Sequence, residues 1–133
     1  MKTKTINQKI FVGNANPEEI YDILMDSKKH ANLVNSSAKI SNEVNGKFEI
    51  YDGYIEGKNI ELEPNKKIVQ LWRGNEDCWP EDHYSTLTIT LEKIDNGTQI
   101  NLVQEKVPEE CHEDFEKGWH EFYWEPLKKI FNK

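Results

Sequence analysis

The stretch Gly118–Phe131, "GWHEFYWEPLKKIF", decides the fold because it combines a helical pattern with dense aromatic side chains and an internal proline. It belongs to a predicted helix that Pro108 opens, with Glu109 and Glu110 in the positive first turn. Pro126 cannot donate a backbone hydrogen bond, so we expect the helix to bend there. The apolar stripe of this helix comprises Cys111, Phe115, Trp119, Phe122, Leu127 and Ile130. A helix with one such stripe, about twenty residues long, is expected to cross and cover a sheet.

Upstream of this helix, the pattern predicts one strand, two short helices and then a series of antiparallel strands. The first strand is "TKTINQKIFV", residues 3–12. Asn16 caps the first helix and Pro17 occupies its first position, and a second helix runs from Ser27 to about Leu33. Later segments alternate apolar and polar side chains, which is typical of strands with one buried face. These strands are predicted near residues 48–50 and at residues 54–62, 66–74 and 83–94.

Two dipeptides predict tight hairpins between these strands. Asp52–Gly53 suits a type I′ turn because both positions tolerate positive φ. Asn96–Gly97 gives the same signal, and as a two-residue loop it pairs Leu91 with Leu102. The expected fold class is therefore α+β, with a curved antiparallel sheet wrapped around the long C-terminal helix and two short helices after the first strand.

An ordered set of motifs gives the chain a family resemblance. The motifs are "NGKFEIYDGYIEG", "LEPNKKIVQLWR", "WPEDHYSTLTITL", "VPEE" and "GWHEFYWEPLK". Together they resemble the C-terminal domain of the activator of heat-shock protein 90 ATPase, within the START-like helix-grip superfamily, from about Ile10 to Phe131. The resemblance implies one START-like domain over residues 1–133. It also implies a cavity between the long helix and the sheet for lipid-like, polycyclic or other hydrophobic ligands.

Two departures from the family pattern bear on function. Eukaryotic activators carry a separate N-terminal domain that grips the middle segment of the chaperone and starts with an N-x-x-N-W-H-W-type motif. These 133 residues contain neither, so strong stimulation of the chaperone by this chain alone is not expected. The loop "GNEDC" between Arg73 and Trp79 is also longer than the family pattern, which changes one rim of the implied cavity.

Composition excludes several classes of partner. Acidic residues (24) outnumber basic ones (17), the formal net charge is −7, and Arg73 is the only arginine. Binding to nucleic acid or to an anionic membrane needs a clustered cationic face, so neither partner is expected. Cys78 and Cys111 lack a C-x-x-C spacing, and the N-terminus lacks the apolar run of a signal peptide. We therefore expect a cytoplasmic protein with both thiols free.

The alternation predicts an apolar wall with a few polar groups between helix and sheet, which is the composition of small-molecule sites. Gln70, Ser85 and Gln104 are informative because a buried polar group without a partner costs about 1 to 3 kcal/mol. The sequence leaves open whether they bond a ligand, one another or buried water. Core packing is the competing interpretation for the aromatic residues, and a solvated position for His83. The candidate ligand-binding residues are Phe48, Ile50, Gln70, Trp72, His83, Ser85, Leu87, Gln104, Phe115, Trp119 and Phe122.

The sequence contains no motif that predicts catalysis or a metal site. Cys78, His83, Cys111, His112 and His120 lack the paired spacing of zinc ligands. We predict no catalytic residue, no metal and no cofactor, and the predicted function is binding of a small hydrophobic or aromatic molecule. The alternative is a protein-interaction module related to the heat-shock protein 90 activator, which acts on a chaperone or another protein in the stress response. An enzyme of the cyclase or hydrolase type is the least favoured hypothesis.

Overall fold

The computed structural model describes residues 1–132, in which an antiparallel sheet packs against a C-terminal helix. The strands are β1 (Thr3–Gly13), β2 (Ala38–Ile40), β3 (Lys47–Ile50), β4 (Ile55–Glu63), β5 (Lys67–Gly74), β6 (Ser85–Ile94) and β7 (Gly97–Pro108). The helices are α1 (Pro17–Met25), α2 (Ser27–Val34), α3 (Glu109–Gly118) and α4 (Glu125–Phe131), and a π-helical segment, Trp119–Trp124, joins α3 to α4. The seven strands lie in the order β1-β7-β6-β5-β4-β3-β2. The predicted α+β helix-grip class is confirmed.

The two short helices begin and end where the sequence indicates. The Asn16 backbone N–H donates to the Glu19 carboxylate (3.0 Å), and Pro17 occupies the first turn of α1. The Asp26 carboxylate accepts from the Lys29 N–H (2.9 Å), which starts α2 directly after α1. Asn35 ends α2 in the left-handed conformation (φ 55°). These local signals place α1 and α2 between β1 and β2, next to the C-terminal helix.

The first predicted hairpin is confirmed. Asp52 and Gly53 both have positive φ (55° and 89°), and the Tyr54 N–H donates to the Tyr51 carbonyl (3.1 Å). This is the type I′ arrangement, and it pairs the last residue of β3 with the first of β4. Tyr51 also has positive φ (58°), which is uncommon for a large side chain and turns its ring toward the C-terminal helix.

The second hairpin forms, but its register differs from the prediction. The two-residue loop is Asp95–Asn96 and Gly97 is the first residue of β7, so Leu91 lies opposite Ile100 rather than Leu102. Gly97 is needed within the strand because a Cβ there would lie 2.4 Å from the Val12 carbonyl oxygen of β1. The close approach of β1 therefore decides the register, and no signal within the hairpin itself indicates it.

The buried stripe of the C-terminal helix also differs from the prediction. Phe122 and Ile130 were expected to face the sheet, but the side chain of each is 48% exposed. In the π segment, the Glu125 N–H donates to the His120 carbonyl, five residues earlier. A π turn contains more residues than an α turn. The residues after it that face the core are therefore not those that α-helical spacing predicts. The residues that face the core from Trp119 onward are Trp119, Tyr123, Trp124, Leu127 and Phe131.

Pro126 accounts for the position of this π segment. Its nitrogen carries no hydrogen and cannot bond the Phe122 carbonyl, so the α-helical ladder is interrupted at that turn. A π turn lies directly on the N-terminal side of the proline, and the bend expected at Pro126 stays a prediction.

A buried chain of hydrogen bonds connects this helix to three strands. The Trp119 indole Nε1 donates to Gln104 Oε1 (2.9 Å), and Gln104 Nε2 donates to Ser85 Oγ (3.0 Å). Ser85 Oγ in turn donates to the Trp72 backbone carbonyl (2.7 Å). Gln70 is satisfied separately, by a bond to Asn59 Oδ1 (3.0 Å). Gln70, Ser85 and Gln104 thus have hydrogen-bond partners within the protein.

A second anchor holds the helix at the β1 edge of the sheet. The Trp124 indole Nε1 donates to Gln8 Oε1 (2.7 Å), and Gln8 Nε2 donates to the Glu116 carbonyl (2.9 Å). Gln8 therefore contacts α3 and the π segment at once. The hydrogen bonds of Trp119 and Trp124 hold the helix at one distance from the sheet and in one rotation about its own axis.

The expectation of two free thiols is wrong, because Cys78 and Cys111 form a disulfide with Cα atoms 5.9 Å apart. The loop between β5 and β6 folds over the start of α3 and brings the two together. Trp79 in that loop is buried against Phe115 (ring centroids 5.3 Å apart) and Trp72 (5.8 Å). Cys78 and Cys111 are 33 residues apart in the sequence, and this spacing gave no indication that they form a bond.

We predict that reducing this disulfide lowers the free energy of unfolding by about 3 to 4 kcal/mol, since it closes a loop of 33 residues in the unfolded chain. Urea denaturation with and without a thiol reductant measures the effect, and the Cys78→Ser/Cys111→Ser variant is the control that the reductant must not affect. Identical curves for the untreated and reduced protein would contradict the prediction.

We also predict that Trp119 and Gln104 are energetically coupled. Trp119→Phe leaves the Gln104 oxygen without its donor, and Gln104→Leu leaves the indole N–H without its acceptor, at a cost of about 1 to 3 kcal/mol each. The double variant removes both unpaired groups, so it should be less destabilised than the sum of the single variants. Chemical denaturation of all four proteins measures the coupling, and strict additivity would refute it.

Candidate functional site

An open cleft of about 540 Å³ lies between the β3–β4 turn and the helical face formed by α3 and the π segment. This volume falls within the range of small-molecule sites, roughly 300 to 1,000 Å³. The residues that line it are Tyr51, Tyr54, Ile55, Trp72, Glu76, Asp114, Phe115, Gly118, Trp119, Phe122 and Tyr123. They come from the β3–β4 turn, the ends of β4 and β5, the β5–β6 loop and the C-terminal helix.

The centre of the gap between helix and sheet, by contrast, is almost filled. A void of only about 20 Å³ remains there, roughly the space of one water molecule. Gly118 helps to keep the other end open, because a Cβ at this position would meet only the Phe122 ring, at 3.8 Å. The space is therefore concentrated on the side of the helix that faces the β3–β4 turn.

The inner wall of the cleft is a cluster of aromatic rings. Trp72 contacts Phe115 edge to face (centroids 5.5 Å apart) and Trp119 at a tilt (5.7 Å). Trp119 also packs against Tyr123, with centroids 4.8 Å apart. Trp72, Trp119 and Tyr123 are buried, so this wall belongs at once to the core and to the cleft.

The outer wall is a row of three rings, which we call the aromatic rim: Tyr54, Tyr51 and Phe122. Tyr51 contacts Tyr54 (centroids 6.4 Å apart) and Phe122 (6.3 Å), both edge to face. Phe122 is the exposed member, because the π turn rotates it away from the sheet. The aromatic rim thus joins the β3–β4 turn to the helix across the mouth of the cleft.

Two hydroxyl groups lie at the inner end of this rim. The Tyr123 hydroxyl bonds His30 Nε2 (2.7 Å), and His30 Nδ1 bonds the Leu24 carbonyl (2.9 Å). Since a carbonyl only accepts, His30 Nδ1 donates and its Nε2 accepts from Tyr123. Burial lowers the pKa of His30 and raises that of Tyr123, which keeps both neutral. Tyr51 Oη is buried and has no hydrogen-bond partner among residues 1–132.

The mouth of the cleft is acidic. Glu76 reaches it from the β5–β6 loop and Asp114 from α3, and both are exposed. The Tyr54 hydroxyl donates to the Glu76 carboxylate. Burial, this hydrogen bond and the negative charges of Glu76 and Asp114 together raise the pKa of Tyr54 well above its usual value. The phenol therefore stays protonated while the two carboxylates carry charge at the entrance.

The candidate residues from the sequence divide into three groups. Those that line the open cleft are Trp72, Phe115, Trp119 and Phe122. Those that line the small central void are Phe48, Ile50, Gln70 and Leu87. The remaining three, Ser85, Gln104 and His83, line neither; Ser85 and Gln104 belong to the buried chain, and His83 Nε2 bonds the Lys106 carbonyl (2.7 Å). A ligand-binding role for all eleven stays a prediction.

Sequence reasoning missed most of the aromatic rim and the acidic mouth. Tyr51 and Tyr54 flank the Asp52–Gly53 turn, and the sequence predicted Tyr54 only as the start of a strand, so neither was assigned to the wall of a site. Glu76 and Asp114 have other acidic residues next to them in the sequence, which is typical of any solvated surface. A usable signal was the helical glycine, Gly118, which is a poor helix former and marks the open space.

The histidines and cysteines considered as metal ligands are dispersed. Within residues 1–132, no group of three or more His, Cys, Asp or Glu side chains is arranged to hold a metal ion. Cys78 and Cys111 are bonded to each other, and His112 Nε2 lies 3.1 Å from the Thr5 carbonyl. Over the same residues, every helix is too short or too polar to cross a bilayer.

Comparison with solved structures supports the fold assignment. An HSP90 activator from Plasmodium falciparum superposes with a TM-score of 0.84 at 24% identity, and the match covers 98% of this chain and 96% of that one. The Aha1 dimer from Colwellia psychrerythraea gives a TM-score of 0.80 at 21% identity, with 96% of each chain covered. At these identities, the similarity concerns the fold alone.

Sequence comparison identifies the family. The human protein named activator of 90 kDa heat shock protein ATPase homolog 1 is 30% identical over 115 residues, which is 86% of this chain and 33% of the human protein. A Dictyostelium discoideum homologue of that activator is 34% identical over 118 residues, 87% of this chain and 30% of its own length. The chain therefore spans about a third of the length of these relatives. The family described as activator of Hsp90 ATPase homolog 1-like protein matches residues 14–132, and the chain belongs to it.

Proposed function

We propose that this chain is a co-chaperone-type module that binds the 90 kDa heat shock protein. The family match over residues 14–132 carries the proposal. The relatives are named as activators of that chaperone's ATPase, and this chain corresponds to about a third of each. The proposal therefore concerns binding, without catalysis, and does not extend to the full activity of the longer proteins. The cytoplasmic location expected together with free thiols is not part of the proposal, because Cys78 and Cys111 are bonded to each other.

The aromatic rim is the proposed contact face. An exposed apolar ring that continues into other aromatic side chains is typical of protein-interaction sites, whereas isolated exposed apolar residues are common on any surface. Phe122 is such a ring, since it packs on Tyr51 and Tyr51 packs on Tyr54. Phe11 on β1 is similarly exposed and lies outside the rim, which makes it a suitable control.

We predict that the purified chain binds Hsp90 saturably and stimulates its ATPase little. Phe122→Ala should weaken binding about tenfold, because truncating an aromatic anchor at an interface removes a large part of its contact energy. Phe11→Ala should leave the affinity unchanged, although this ring is 45% exposed and Phe122 is 48% exposed. Isothermal titration calorimetry measures the affinities, and a coupled ATPase assay measures the stimulation.

Each result bears on a different part of the proposal. Failure of the unmodified chain to bind at high concentration would refute the co-chaperone role. Equal losses for the two variants would refute the aromatic rim as the contact face. Large and saturable stimulation of the ATPase would contradict the prediction that this third of the longer relatives gives little activation by itself.

The open cleft favours a second candidate function, the binding of a small hydrophobic molecule. Its inner wall offers Trp72, Phe115 and Trp119 to a ligand, and burial of apolar surface contributes roughly 25 cal/mol per Å² before the costs of association. The volume of about 540 Å³ is the supporting observation. Because the centre of the fold is filled, the ligand would enter at the β3–β4 end.

We predict that a neutral fluorescent probe, N-phenyl-1-naphthylamine, binds the folded protein at one site and that Gly118→Leu abolishes this binding. The leucine side chain would extend into the open cleft, and the added Cβ meets only the Phe122 ring, so the fold should be retained. Lys117→Leu adds the same side chain at a neighbouring exposed position outside the cleft and should bind the probe normally. Undiminished binding to a folded Gly118→Leu protein would rule out the cleft as the site.

A further inference from the structure

We infer that the cleft selects an organic cation, a molecule with a flat hydrophobic body and a positively charged nitrogen at one end. This inference rests on the ligand-binding candidate and is independent of the chaperone proposal. The hydrophobic body would lie against Trp72, Phe115 and Trp119, and the charged end would lie at the acidic mouth between Glu76 and Asp114.

The charges around the cleft have one sign. Among the described residues that line it, the charged side chains are those of Glu76 and Asp114, and both are acidic. Both influence the Tyr54 hydroxyl, so both carboxylates lie near the same point of the mouth. Lys117, a basic residue on the same helix as Asp114, pairs instead with Glu113 (Nζ to Oε1 3.1 Å). A cation at this point meets two carboxylates, whereas an anion is repelled by both.

The disulfide holds these two carboxylates together. Glu76 precedes Cys78 by two residues in the β5–β6 loop, and Asp114 follows Cys111 by one helical turn. The Cys78–Cys111 bond therefore fixes the loop that carries one acid to the helix that carries the other. The mouth is prearranged, so a ligand does not have to order the loop, and the entropic cost of binding is reduced.

The aromatic rim adds a second contribution to cation binding. An ammonium group over the face of an aromatic ring is attracted by the negative charge of the π system, and the attraction grows when water is excluded. Tyr54 stands beside the acidic mouth, and Tyr51 and Phe122 continue the wall. Substituted ammonium groups are recognised by aromatic faces that lie next to carboxylates. A purely apolar ligand gains nothing from the carboxylates.

The test uses three ligands that share a naphthalene ring and differ in charge: naphthylmethylammonium, naphthylmethanol and naphthoate. Isothermal titration calorimetry at low ionic strength should show that the ammonium binds about tenfold more tightly than the alcohol. Naphthoate should bind more weakly than either. The preference for the ammonium over the alcohol should fall as salt is added, because the carboxylates at the mouth are exposed and screened.

A pair of double variants assigns the preference to the mouth. Glu76→Gln/Asp114→Asn should bind the ammonium and the alcohol with similar affinities, while its affinity for the alcohol matches that of the unmodified protein. Glu63→Gln/Glu92→Gln removes two exposed carboxylates that do not line the cleft and should keep the full preference. The control separates the local effect from the change in net charge.

The outcomes separate this inference from the functions on which it builds. If alcohol and ammonium bind the unmodified protein within about twofold of each other, the cleft is a ligand site but the charge selection is refuted. If none of the three ligands binds, both the ligand-binding candidate and this inference are overturned, and the chaperone proposal still stands on its own titration. Loss of the preference in the control variant would also refute the role of Glu76 and Asp114.

Discussion

The bond from the Trp119 indole to Gln104 is the interaction on which the arrangement of helix and sheet depends. It continues through Ser85 to the backbone of β5, so one buried chain connects the C-terminal helix to three adjacent strands. A buried polar chain of this kind is stable only when every member has its partner, which leaves the helix one position over the sheet. In that position Trp119 lines a nearly filled gap between helix and sheet, and the larger space beside the helix lies toward the β3–β4 turn.

The indole N–H of Trp124 needs an acceptor at the same time as that of Trp119, and the π segment makes both bonds possible. Trp124 bonds Gln8 on the edge strand β1, while Trp119 bonds Gln104 on β7, next to it in the sheet. The two indoles are five residues apart, which is the spacing that a π turn places one above the other. Their rings stack, with centroids 5.8 Å apart and planes inclined by 17°. The same turn moves Phe122 outward, so the exposed ring of the aromatic rim results from the way the core is anchored.

Local signals predicted the order of elements, and contacts between distant parts of the chain explain what was missed. Caps such as Pro17 and turns such as Asp52–Gly53 act within a few residues, and the alternation of apolar residues fixed which face of each strand is buried. The register of the β6–β7 hairpin depends on β1 approaching Gly97, and the disulfide depends on a loop folding over a helix. The family resemblance implied a cavity between the helix and the sheet, but the position of the cleft depends on how closely Trp119 packs, which no periodicity reveals. The residues of the aromatic rim and the acidic mouth come from four separate segments, and only the fold brings them together.

The π segment also sets the phase between the two halves of the C-terminal helix. Each residue of an α-helix advances the chain by about 100°, so the additional residue in the π turn determines which side chains of α4 meet the core. With it, Leu127 and Phe131 are buried in line with Trp119, and Ile130 points outward. An α-helix over the same residues would carry Leu127 about 80° away from the side on which Trp119 lies. Deletion of a single residue between Trp119 and Trp124 would remove the additional residue of the π turn, and would let the segment become α-helical with Leu127 still in line with Trp119. Among homologous chains, this part of the helix should tolerate the loss of one residue together with the π turn, whereas an insertion or the loss of two residues would rotate α4 away from the core.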